Sequence, residues 1–217
     1  MLKRSDFIRQ FHVALKTDRD CESPMLIDFI KQRAPLGSLL DIGAHWSGQH
    51  YAPTIRTMVD RYVGIDIQPP DDTTRKILDA YHTGNANDFN FGETFDAVIC
   101  VSTIEHAGVS TYKGDHVKER MRLFETCLRL AKKHVWISFP VGQEYVFAGE
   151  LAVVTEDHLE SFEIMAKDWK VKERFFHSQG PQAGHQWYQH AKRDFALKSQ
   201  YVDYIGNCNI GVMEIDR

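Results

Sequence analysis

The segment Phe95–Ser102, FDAVICVS, is apolar at almost every position and only long enough for a strand. A strand apolar on both sides must be covered on both, as a central strand of a parallel sheet is. Parallel neighbours need crossover connections, and the chain supplies them as an alternation of strand and helix patterns. Strand patterns occur at SLLDIG from Ser38, YVGIDI (Tyr62–Ile67), YHTGNA from Tyr81 and HVWISFPV (His134–Val141). Helices are expected over about 50–61, from Asp71-Asp72 to about Ala80, and over His116–Lys133. In the last of these Val117, Met121, Phe124, Leu128 and Ala131 recur at spacings of four and three, leaving Lys118, Arg122, Arg129 and Lys132 outward. Ser23-Pro24 opens a helix to Arg33, and Thr155 opens another to about Asp168. KVKERFFH and NIGVMEID close the chain as strands, the second antiparallel at or near the edge. Ser178 to Asn207 is the least regular stretch, with a helix expected from about Gln189 to Lys198.

A length of 217 residues fits one domain. A net charge of -4 argues against a dedicated nucleic-acid binder, which would usually carry a basic face. Apolar runs are strand-sized, so no transmembrane span is expected, and the basic N-terminus lacks the apolar core of a signal peptide. Cys21, Cys100, Cys127 and Cys208 are far apart and form no C-x-x-C pair. Buried, reduced thiols in a cytoplasmic protein are the expectation. Oligomeric state leaves no mark.

The stretch DIGAHWSGQH, Asp41–His50, follows the first strand and carries Gly43 and Gly48. A glycine turn between a strand and a helix lets backbone approach a ligand and aims helix N–H groups at it. An acidic residue ending the second strand, Asp66, suits the hydroxyls of a ribose. A nicotinamide cofactor and S-adenosylmethionine both fit to this point. Two features separate them. Gly43, His45 and Gly48 fall on the spacing G-x-G-x-x-G, but His45 replaces the glycine that admits a pyrophosphate. Asp41 would repel a pyrophosphate, whereas it suits the cationic amino-acid end of S-adenosylmethionine.

In order, LLDIGA, YVGIDI, GNANDF and FDAVICVSTIEHAG resemble the successive motifs of the class I S-adenosylmethionine-dependent methyltransferases. The resemblance spans about Ser38 to Val141 and implies an α/β, Rossmann-like fold. That fold has a seven-stranded, mostly parallel sheet with an antiparallel late strand and helices on both faces. It implies a single domain, with N-terminal helices over 1–36, a methyl-donor core over 37–141, and acceptor-side and closing strands over 142–217. It also implies that Asp41, Gly43 and Ala44 line the methionine part of the donor, with Gly48 taking over a turn. Asp66 would bind the ribose, Ile67 would pack on the adenine, and Asn85 with Ala86 would lie near the adenine amino group. Val101 and Ser102 would border the methyl group. The family usually shows D-x-G-x-G-x-G, and this chain departs from it with His45 and Ser47. STIEHAGVSTYKGDH and SFPVGQEYVF are further similar to a group of methyltransferase-like proteins associated with glycan biosynthesis, which implies a glycan acceptor.

Transfer of a methyl group to an alcohol needs in-line approach and removal of a proton. In an open α/β sheet the ligand lies over the carboxyl ends of the strands, so STIEHAG after the fourth strand faces the chemistry. His106 is the first candidate base because its ordinary pKa is near neutral. Glu105 could orient it, and both could equally cap and pack the next segment. Asp115 and His116 are further candidates, with a helix N-terminus as their simpler reading. These four residues show no established ligand spacing, so no metal is expected. Tyr145, His185, Trp187 and Tyr188 are the candidate acceptor contacts, on loops or strand ends of the C-terminal part. Nucleic acid is disfavoured because no Asn/Asp-Pro-Pro-aromatic tetrapeptide and no Pro-Cys pair follows the fourth strand. The competing readings are an NAD(P)-dependent oxidoreductase, weakened by Asp41 and the missing glycine, and a non-catalytic methyltransferase-like module.

Overall fold

A computed structural model describes residues 19–109, 115–147, 150–182, 185–199 and 209–217. Helix α1 (Arg19–Arg33) leads into strand β1 (Leu36–Ile42), a 3-10 turn (Ser47–Gln49) and the single turn α2 (Ala52–Ile55). Strand β2 (Val59–Asp66), α3 (Asp72–Ile77), β3 (Ala80–Thr83) and β4 (Phe95–Val101) follow. After a 3-10 turn (Ile104–His106) come α4 (His116–Leu130), β5 (Ala131–Val141) and a hairpin of β6 (Val146–Phe147) and β7 (Leu151–Ala152). The chain closes with α5 (Glu156–Met165), β8 (Lys170–Gln182), β9 (His185–Ala191), α6 (Arg193–Lys198) and β10 (Asn209–Asp216).

Among the described residues the main sheet has eight strands in the order β3-β2-β1-β4-β5-β10-β8-β9. The first five pair in parallel, and β10, β8 and β9 are antiparallel to their neighbours. Strand side chains alternate between faces. On β4, Ala97, Ile99 and Val101 join one core with α1 and Trp136, and Val98 and Cys100 join the other with Phe124 and Phe162. Both faces are therefore apolar, as FDAVICVS requires.

The structure departs from expectation at four places. The sheet has an eighth strand, because His185–Ala191 pairs with β8 as a hairpin and the helix begins only at Arg193. That pairing moves β10 away from the edge. It lies between β5 and β8, with seven of its eight residues buried, so NIGVMEID is apolar for the same reason as β4. The helix expected over 50–61 shrinks to α2 and a 3-10 turn, Arg56–Met58. Here β2 starts at Val59, opposite Leu36, and sheet pairing claims residues that local propensity would leave helical. Strand β3 stops at Thr83, and the Gly84 N–H turns back to the Asp66 carbonyl. Cys21, Cys100 and Cys127 are free and buried, while Cys208 lies outside the described residues. No helix among those residues is long and apolar enough to cross a membrane.

Candidate active site

The loop after β1 is shaped by two glycines with different jobs. Gly43 has φ +86°, and a Cβ there would sit 1.9 Å from Thr103 Oγ1. The turn out of β1 therefore passes against the exit of β4 with no room for a side chain. Gly48 faces the other way. A Cβ there would lie 2.4 Å from the Thr74 backbone nitrogen, and the Gly48 N–H donates to Thr74 Oγ1 at 2.9 Å. Gly48 thus lets the loop dock on α3 and does not line the cavity described below. His45, at the missing-glycine position, is bonded on three sides. Its N–H donates to Asp66 Oδ2 at 3.2 Å, its carbonyl accepts from Asp71 N–H and Thr74 Oγ1, and its Nδ1 meets the Pro69 carbonyl. The His45-Trp46 loop is a built structure fastened to the end of β2.

Asp41 is fully buried. It shares the strand face of Leu39, and its carboxylate accepts from Tyr51 Oη at 3.2 Å and Tyr62 Oη at 3.0 Å. Burial pushes its pKa up to about 7, and the two tyrosine hydrogen bonds pull it part of the way back. Neither Asp41 nor Ala44, which is buried in the same core, lines the cavity, although both were candidates for the methionine end. They form the underside of the loop because side chains alternate along β1.

A cavity of about 940 Å³ lies over the carboxyl ends of β1, β2 and β4. The strand order reverses between β1 and β4, the point where open α/β sheets bind ligands. Gly43, Asp66, Ile67, Ala86, Ser102 and His106 all line it. Asp66 receives a second backbone bond, from Gln68 N–H at 2.9 Å, so its carboxylate is fixed at the rim. Ile67 is 48% exposed and Trp46 58% exposed, and both face the same cavity. Asn85 also lines it, but its amide closes its own turn, accepting from Asn87 N–H and donating to Asp88.

Ser102 has φ +39°, a left-handed conformation that is unfavourable for serine and is held by the surroundings. Its hydroxyl donates to Glu22 Oε1 at 2.5 Å. Arg19 donates to the Val101 carbonyl at 2.6 Å and reaches into the cavity lining. Val101 contributes that carbonyl, while its side chain is core. Arg19 and Glu22 are the site residues that sequence reasoning missed. They lie some eighty residues from their partners, and no local pattern announces such a contact.

His106 ends the 3-10 turn that follows β4. Its Nδ1 lies 2.6 Å from the Glu150 carbonyl. A carbonyl can only accept, so Nδ1 carries the proton and Nε2 keeps its lone pair. Burial holds the His106 pKa below its ordinary 6.5, so the ring is neutral at physiological pH. The buried Glu105 carboxylate lies 4.0 Å from Nε2. Asp115 is the N-cap of α4, accepting from Val117 and Lys118 N–H, and His116 is the first residue of that helix. Neither lines the cavity, nor does Tyr145, which packs against the core and takes the Val153 N–H on its carbonyl. His185, Trp187 and Tyr188 belong to β9 at the sheet edge, and their side chains lie outside the described set. Strand β9 is four places from β4, roughly 19 Å at ~4.8 Å per strand. Among the described residues, no group of three or more His, Cys, Asp and Glu could hold a metal ion.

No protein-family profile matches the chain, and no curated protein matches it in sequence. Similarity appears at the level of structure. The N-methyltransferase NodS from Bradyrhizobium japonicum WM9 superposes with a TM-score of 0.57 at 12% identity, covering 90% of this chain and 95% of that one. Its complex with S-adenosyl-L-homocysteine gives 0.56 at 11% identity, covering 97% and 96%. The magnesium protoporphyrin IX methyltransferase ChlM from Synechocystis PCC 6803, solved with bound SAM, gives 0.53 at 10% identity, covering 89% and 78%. A SAM-dependent methyltransferase from Archaeoglobus fulgidus gives 0.57 at 14% identity, covering 91% and 94%. The cavity at the strand switch point and these superpositions agree: the chain has the fold of the class I S-adenosylmethionine-dependent methyltransferases.

Proposed function

We propose that the cavity binds S-adenosylmethionine and that the protein transfers its methyl group to a hydroxyl of a small molecule, with a sugar or glycan as the acceptor class. The observation that carries this reading is the pairing, in one cavity, of the fixed carboxylate of Asp66 with a neutral His106 whose Nε2 is unprotonated. Asp66 offers remaining lone pairs to the ribose hydroxyls, and Ile67 offers an apolar wall to the adenine. Gly43 lets the methionine part approach the backbone. Bound S-adenosyl-L-homocysteine or SAM in the NodS and ChlM structures supports the choice of cofactor.

The acceptor hydroxyl attacks the methyl carbon, the carbon–sulfur bond breaks to leave S-adenosylhomocysteine, and the hydroxyl proton passes to His106 Nε2. Positioning and a general base of this kind supply the rate, the base about 10²–10⁴-fold. Trp46, with its ring in the cavity, is better placed to face the acceptor than His185, Trp187 or Tyr188, and an aromatic face suits a sugar ring. Free buried thiols support a reducing compartment such as the cytoplasm.

Calorimetric titration with S-adenosylhomocysteine, beside NAD and NADP, tests the reading. Micromolar binding of the first alone is expected. Binding of a dinucleotide alone would replace it with the oxidoreductase reading, and silence from all three would favour a non-catalytic module.

A further inference from the structure

Arg120, on α4, is fully buried, does not line the cavity and takes no part in methyl transfer. A guanidinium in such a place needs its N–H groups committed to fixed acceptors. Here the fork closes on two successive carbonyls of one segment. Nη1 donates to the Val153 carbonyl at 3.1 Å and Nη2 to the Ala152 carbonyl. Nη1 also lies 3.3 Å from His158 Nε2, at the start of α5, and Glu105 supplies the nearby opposite charge. The clamped residues belong to the inner arm of the β6–β7 hairpin, where Leu151 to Val154 are all buried.

Two residues before Ala152 is Glu150, whose carbonyl holds His106 Nδ1. The arm's other fixings lie toward its C-terminal end, from Val153 N–H to the Tyr145 carbonyl and from Val154 N–H to the Pro140 carbonyl. Arg120 anchors the carbonyl next to that end and the one nearer Glu150. We infer that Arg120 is a positioning residue for His106. By clamping the hairpin from α4 it fixes the Glu150 carbonyl, and so holds the imidazole as the Nδ1–H tautomer with Nε2 free to receive a proton. Charged groups that act on the ring are Glu105, Glu150, Arg19 and Asp66. None of them except Glu150, through its carbonyl, selects between the two nitrogens by direct hydrogen bonding in the contacts seen at Nδ1. The use of the free nitrogen rests on the proposed function, whereas the tautomer is a property of the protein without substrate.

Nitrogen NMR of the His106 ring tests this on the full chain, above the His106 pKa, with H106Q identifying the signals. Wild type should show a protonated Nδ1 and an unprotonated Nε2. R120M should lose that preference and invert the ratio. R120K keeps the charge without the fork and should give a mixture. A purely structural Arg120 would lower the melting temperature and leave the tautomer alone. A folded R120M with the wild-type ratio would overturn the inference, and so would wild type with Nε2 protonated. If R120M does not fold, a wild-type ratio in R120K overturns it. Titration of the same samples with S-adenosylhomocysteine keeps the two ideas apart: wild type that fails to bind it counts against the methyltransferase reading and leaves the tautomer result standing.

Discussion

Asp41→Asn isolates a buried carboxylate behind the loop after β1. In the fold its pKa is raised from 3.8 to about 7, with burial the first cause and the Tyr62 and Tyr51 hydrogen bonds opposing it. In the unfolded chain it titrates near ~3.9. Below that value both states hold the proton and Asp41 contributes no pH dependence. Between the two values the folded protein keeps a proton that the unfolded chain has released. Stability therefore falls as pH rises through this window, by about 1.4 kcal/mol per unit, and levels off above the folded pKa. Across roughly three units the loss is about 4 kcal/mol, an order-of-magnitude figure. Asparagine does not titrate, so it removes the slope whatever fixed offset it adds. Urea unfolding of wild type and D41N from about pH 5 to 8 gives the difference in stability, in which other carboxylates cancel. That difference should move against wild type by about 1.4 kcal/mol per unit up to about pH 7 and then flatten. A difference that is constant with pH would refute the argument, because Asp41 would then be titrating alike in both states.

Gly43→Ala should cost about 1–2 kcal/mol from the left-handed backbone alone, with more from the Thr103 collision, and should weaken S-adenosylhomocysteine binding; thermal melts and titration check it. Asp66→Ala removes a charged hydrogen-bonding partner and also releases His45, so affinity for S-adenosylhomocysteine should fall by about 10–100-fold at retained fold. His106→Gln should lower turnover by about 10²–10⁴-fold with affinity for S-adenosylhomocysteine unchanged. In wild type, kcat/KM should rise with pH through a value below 6.5 and then plateau, since burial lowers this pKa and the base must be unprotonated. Phe124→Ala opens the core where its ring stacks on Phe162 at 4.2 Å and 11°, and should cost about 3–5 kcal/mol in denaturant unfolding.

Much of the fold was legible because periodicity is a local record of burial. Phe95–Val101 and Ser38–Ile42 read as buried strands, and the spacing of Val117, Met121, Phe124 and Leu128 read as a helix with one apolar face. Residues around the cavity were legible where a motif ties them to a strand end: Gly43, Asp66, Ile67, Ser102 and His106 all line it. Asp41 and Gly48 kept their motif positions and turned out to face away from the cavity, because motif spacing gives the order of residues along a loop and not the side to which each points.

The sequence by itself determined a doubly covered parallel sheet and put the chemistry at the exits of β1, β2 and β4, since hydrophobic pattern and strand order are properties of short stretches. Only the tertiary structure decided what a residue does by contact. It turned NIGVMEID into an interior strand, because the β8–β9 hairpin covers its far side. It brought Arg19 and Glu22 of α1 to the end of β4, and the Glu150 carbonyl to His106. Those contacts join residues tens of positions apart, and their energy comes from hydrogen bonds and burial that exist only once the sheet has closed around them.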